Sequence, residues 1–168
     1  MAQGADNAKT KKQAAVVPPQ AQPATPTTTN LITIAASKQG VNACAGRIEQ
    51  VTNYLGFTPN AGAMLMLPQG NADKLLLPVV MELPMDGNVA FASASFAPKQ
   101  ANGCGSTYDA VVYWPEKCDV IARRQFGNLK NVGLLKQTIT VLDGGTAMKV
   151  FLMPAGSGCV SIKKEIVL

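Results

Sequence analysis

The stretch "VAFASASFA", residues 89–97, places an alanine at every second position from 90 to 94. Successive side chains of a strand point to opposite faces. Ala90, Ala92 and Ala94 therefore line one face, and Val89, Phe91, Ser93 and Ser95 the other. A face of methyl groups lets a helix approach closely, so a helix is expected over it. A strand built to lie under a helix points to an α+β fold.

The flanking sequence extends this sheet. "MDGN" (85–88) carries Asp86-Gly87, a tight-hairpin signal. It joins the alanine strand to "KLLLPVVMEL" (74–83), where Pro78 removes one ladder donor and marks an edge or bulged strand. "AMLML" (63–67) is an earlier strand stopped by Pro68. The covering helix is legible just before it. Val41, Cys44, Ile48, Val51 and Leu55 recur at spacings of 3, 4, 3 and 4, and Gly56 supplies a stop. "NLITIAA" (30–36), apolar and β-branched, reads as a short first strand.

Downstream, "NGCGS" (102–106) is a turn and "TYDAVVYW" (107–114) a strand. Pro115 suits the first turn of a second helix that ends at Gly127. Glu116 and Asp119 lie near its positive end, and Arg123 and Arg124 near its negative end. Cys118, Ile121, Ala122 and Gln125 share its inward side. "LLKQTITVL" (134–142), "TAMKVFLMP" (146–154) and "CVSIKKEIVL" (159–168) form a meander turning at "DGG" and "AGSG". In the last strand Val160, Ile162 and Ile166 share one parity, with Lys164 the exception. No long-period internal repeat is visible. The expected fold is an antiparallel sheet of six to seven short strands with two helices packed on one face. It forms a single stapled domain over 31–168. Residues 1–30, with Pro18, Pro19, Pro23 and Pro26 among Gln, Ala and Thr, read as a disordered Pro/Thr/Ala-rich tether.

Composition bounds the function. Of 168 residues, 47% are hydrophobic and 15% charged, which is enough apolar material for a real core. No window reaches the ~18 apolar residues of a membrane span. Fifteen basic and ten acidic residues leave +5, a mild excess and not the dense basic face of a nucleic-acid binder. Aromatic residues are 5% of the chain, too few for a base-stacking platform.

Four cysteines and no histidine say more. An even count without C-x₂-C spacing fits a disulfide framework made in an oxidising compartment, so a periplasmic or secreted protein is expected. The polar opening "MAQGADNAKTKK" is then the start of a mature chain whose leader lies outside the sequence. An eight-residue strand separates Cys104 from Cys118 by about 26 Å, too far for a bond. Two pairings remain: Cys44–Cys118 with Cys104–Cys159, or Cys44–Cys104 with Cys118–Cys159. The first is preferred. It joins two inward helix faces and two Gly-rich strand starts.

The absence of histidine excludes Ser-His-acid and Cys-His catalysis. Ser161-x-x-Lys164 matches a Ser-Lys motif, but in a strand those side chains face opposite sides. The expected protein is a non-enzymatic exported binding or accessory domain, with no cofactor and an unknown protein or envelope component as partner. Tyr108 and Trp114, which share a strand face, are its candidate ligand surface. The alternative is an enzyme using Asp109, Glu116, Lys117 or Cys118 near the second helix. A further alternative is a Cu(I) protein using the thioethers of Met64 and Met66, with Met81 and Met85 nearby. The expectation for all four methionines is burial as core filler.

Overall fold

Asn30 decides the first element. Its side-chain oxygen accepts a hydrogen bond from the Thr33 amide at 3.0 Å, the bond of a helix N-cap. The expected first strand is therefore a helix, α1 (Leu31–Lys38), and Ile32, Thr33 and Ala36 form its buried side. The Asn30 amide also donates to Thr52 and Asn53, tying α1 to the next helix. The computed structural model describes residues 30–101 and 103–168, so the expected tether lies outside the described residues except for Asn30.

The remaining elements are α2 (Ala45–Tyr54), β1 (Gly62–Leu65), a short 3₁₀ turn (Ala72–Lys74), β2 (Leu77–Met85), β3 (Asn88–Gln100) and β4 (Gly103–Trp114). Then follow α3 (Cys118–Phe126), β5 (Lys130–Leu134), β6 (Thr140–Asp143), β7 (Met148–Ala155) and β8 (Gly158–Val167). The described residues thus hold eight strands and three α-helices, against the six to seven strands and two helices expected. The additional strand, β5, is exposed along its whole length, so no burial alternation marks it. All strand pairs are antiparallel, in the order β1-β2-β3-β4-β8-β7-β6-β5.

That order is two copies of one plan. A helix followed by a four-strand meander (α2, β1–β4) runs inward from one edge. A second helix and meander (α3, β5–β8) runs inward from the other, and the last strands of the two meanders pair at the centre. Both central strands open with Gly-Cys-x-Ser, at Gly103-Cys104-Gly105-Ser106 and Gly158-Cys159-Val160-Ser161. This four-residue match is the trace of the repeat in the sequence. Asp109 and Lys164 hold equivalent places in the two strands, and they are paired with each other. The pseudo-two-fold axis passes between them.

Each unit has its own core and its own disulfide. The larger core sets Ile48 and Val51 of α2 and Ile32 and Ala36 of α1 on Leu77, Val79, Met81, Ala92, Ala94, Phe96 and Tyr108. The alanine face does lie under the helices. The smaller core gathers Leu142, Val150, Leu152 and Cys159 beneath Ile121 of α3. Register puts both sets on the same face of the sheet, so all three helices cover one side.

The disulfides are Cys44–Cys104 and Cys118–Cys159, with Cα separations of 5.1 and 5.0 Å. This corrects the preferred pairing. Cys44 and Cys118 both face inward, but α2 and α3 stand over different halves of the sheet. Each bond instead ties the start of a helix to the second residue of the central strand in its own unit. β4 also begins earlier than expected, which carries Cys104 out of the turn and beneath α2.

Pro78 does not mark an edge strand, because β2 is covered by β1. Pairing with β1 ends at Leu65 opposite Val79, and the Pro78 carbonyl accepts from the Met66 amide just beyond. The donor that Pro78 lacks faces that same place, where the ladder stops.

Candidate functional site

The residues of the enzyme reading are not gathered into one cleft. Asp109 accepts from Lys164 Nζ at 2.9 Å on both carboxylate oxygens, on the face away from the helices. Glu116 pairs with Arg124 at 2.5 Å, and that guanidinium holds its carboxyl below the usual carboxylate range. Pro115 and Glu116 precede α3 and are not part of it, and Lys117 is its exposed N-cap. Cys118 is bonded to Cys159 and is no nucleophile in this state.

Tyr108 is buried, so it offers no ligand ledge with Trp114. Trp114 is half-buried against the smaller core, and its indole N–H donates to Ser161 Oγ at 2.8 Å. That bond turns Ser161 toward the helix side, away from Lys164. Met81 is buried as expected for core filler, but Met64, Met66 and Met85 are exposed. By strand parity Met81 and Met85 point to the helix side and Met64 to the opposite one, so the four thioethers do not converge.

One polar cluster lies at the seam between the two cores. The Tyr108 hydroxyl donates to Glu165 Oε2. Lys163 Nζ lies 2.9 Å from the same oxygen and donates to the Tyr54 hydroxyl at 2.9 Å. The ammonium sits 5.0 and 5.4 Å from the centres of the Tyr54 and Tyr108 rings, within cation–π reach. Burial and the bond to Glu165 push the Tyr108 phenol well up, so it stays a neutral donor. Burial works against the Lys163 charge, but the two tyrosine oxygens and Glu165 outweigh it and raise the amine. Burial would raise the Glu165 carboxyl, and the Tyr108 hydroxyl and Lys163 ammonium lower it.

Tyr108, Lys163 and Glu165 are thus each fixed in their ordinary protonation state. A general acid or base works best with a pKa near the operating pH, so the cluster is built as a clamp between α2 and β8. The hollow beside it, lined by Gln50, Val51, Tyr54, Tyr108, Glu165 and Val167, is about 220 Å³. That is below the ~300–1,000 Å³ of ordinary ligand pockets. Sequence reading missed the cluster because Lys163 and Glu165 belong to the polar parity of a strand, which normally faces water.

The apolar parity of β8 is the one facing away from the helices. Register extends it across the sheet as rows of side chains on the uncovered side. One row runs Phe91, Val111, Ile162, Phe151 and Val141 over five adjacent strands. Beside it lies a second apolar row, Tyr113, Val160 and Met153. Next to the first row on its other side comes a polar one: Ser93, Asp109, Lys164, Lys149, Asp143 and Lys130. Its central charges neutralise each other, Asp109 with Lys164 and Asp143 with Lys149, both at 2.9 Å. Phe91 keeps 50% of its surface exposed and Tyr113 44%.

Set against protein-family models, curated proteins and solved structures, the chain matches none. Among the described residues, no helix is long and apolar enough to cross a membrane. Among the same residues, no group of three or more Cys, Asp or Glu side chains is placed to hold a metal ion.

Proposed function

We propose that this protein is a non-enzymatic, exported accessory domain that acts by docking the open face of its sheet onto an apolar protein surface. One observation carries the reading: the apolar rows through Phe91, Ile162 and Phe151 lie opposite all three helices, with nothing of the described chain over them. A sheet normally buries its apolar parity. On β8 the helix-side parity carries Ser161, Lys163 and Glu165, held by polar contacts, beside Cys159 and Val167, and the outward parity carries Val160, Ile162 and Ile166 beside Lys164. Two disulfides, with no free cysteine among the described residues, support export, since such bonds persist in oxidising compartments.

Two measurements test the reading. Mass spectrometry of unreduced protein from its native setting should find both crosslinks; four free thiols would remove the exported half. The dye 1-anilinonaphthalene-8-sulfonate should bind the folded domain at a dilution where it is monomeric and its open face uncovered, and should lose its fluorescence there in Phe91→Glu and Phe151→Glu. Unchanged fluorescence in both variants would remove the docking face.

A further inference from the structure

Resting on that reading, we propose that the partner seated on the open face is a second copy of this chain, related by a two-fold axis that runs along the strands between β4 and β8.

Area is the first argument. With strands ~4.8 Å apart and ~3.3 Å per residue, β3, β4, β8 and β7, the strands this axis mates with one another, together present about 700 Å². A stable interface needs about that much from each partner. Two sheets packed face to face with aligned strands are also a standard way to bury such surfaces.

Charge and pattern then select the axis. A two-fold along the strands keeps each row at its own height and reverses the strand order. The row Phe91, Val111, Ile162, Phe151 then meets the same row of the other copy, with Val111 opposite Ile162 and Phe91 opposite Phe151. In the polar row Asp109 of one copy comes opposite Lys164 of the other. The two internal ion pairs become a ring of four alternating charges, so like charges do not meet at the centre. A two-fold running across the strands, through the central polar row, would instead lay Val111 against Thr107 and Ile162 against Ile166, and would set Asp109 on Asp109 and Lys164 on Lys164. The pseudo-symmetry of the monomer places the strands for either axis, and the difference between these flanking rows favours the first.

Analytical ultracentrifugation of the oxidised full chain from 1 to 100 μM tests the proposal. The expected species has twice the mass of the 17.6 kDa chain. Phe151→Glu and Ile162→Glu should each raise the dimer Kd by about 30-fold or more, the scale of a central interface residue. Asp109→Lys should weaken the dimer, and adding Lys164→Asp to it should restore the dimer by re-forming the alternating ring. Circular dichroism and intact disulfides establish that each variant is folded.

A monomer throughout the range, or a dimer indifferent to all four substitutions, overturns the proposal. If the monomer still binds the dye and loses it in Phe151→Glu, the docking face stands and only the identity of the partner falls. If it does not bind the dye, both fall. A monomer that sediments with phosphatidylglycerol vesicles would overturn the proposal in favour of a lipid surface.

Discussion

The replacement of Cys118 and Cys159 by alanine should release α3 without unfolding the rest of the sheet. The bond joins residues 41 apart, and loop-closure entropy for that length is about 4 kcal/mol. The rest of its hold is the half-buried packing of Ala122 and Phe126 on the smaller core, the Glu116–Arg124 pair and one deeper contact. Ile121 is its one fully buried side chain, worth about 2 kcal/mol. Its ion pair Asp119–Arg123 is largely exposed and contributes little. A single-domain protein is stable by about 5–15 kcal/mol, so this staple is a large share of the total. With a urea slope near 2 kcal/mol/M, the unfolding midpoint should fall by about 2 M. Native-state hydrogen exchange should show α3 amides losing protection first, while α1 and α2, held by Cys44–Cys104 and the larger core, keep theirs. A midpoint shift below about 0.5 M, or equal loss of protection over both helix layers, would refute the account of two separately stapled cores.

Three further outcomes follow from the packing and the seam. Ala92→Leu adds bulk to a fully buried site under α2 and should cost about 1–3 kcal/mol in urea unfolding; a neutral result would mean the helix does not rest on the alanine face. Gly158→Ala would set a Cβ 2.2 Å from the Trp114 carbonyl, at the end of the β4–β8 ladder, and should cost at least as much; an unchanged midpoint would count against this close approach of the two central strands. The Glu165 carboxyl is lowered in the fold, so its stabilisation is present above the ordinary carboxylate pKa and lost as pH falls through the folded value. The melting temperature of Glu165→Gln should therefore fall less than that of the parent between about pH 4.3 and pH 2; parallel curves would show that the clamp carries no titrating stability.

Local signals were legible wherever one residue type dictates the backbone. Asp86-Gly87 turns β2 into β3, and "AGSG" turns β7 into β8. Of the stripe Val41, Cys44, Ile48, Val51 and Leu55, Ile48 and Val51 are buried as the period requires and Leu55 is half-buried, whereas Val41 and Cys44 are buried but precede the helix. The α1 segment was misread because Ile32, Thr33 and Ile34 favour strands by side-chain shape. The cap at Asn30 and its tertiary bonds to α2 outweigh that preference, and an Asn just before an apolar run was the available signal. Disulfide pairing depended on which half of the sheet each helix covers, and that is set by topology and not by local pattern. The seam cluster was hidden for a related reason. Parity states that Lys163 and Glu165 share a face, but only the position of Tyr54 and Tyr108 across from them shows that this face is the inner one.

The two rims of the sheet have a consequence for life at high concentration. β1 is four residues long, and the donors missing from Pro78 and Pro84 flank its paired span on β2. β5 is five residues long and is broken by an irregularity at Gly133. Neither rim offers a long straight template for a new strand, so lateral accretion into fibres is checked on both sides. A chain that displays so much apolar surface on its broad side can therefore stay dispersed, because the direction in which sheets ordinarily polymerise has been closed off.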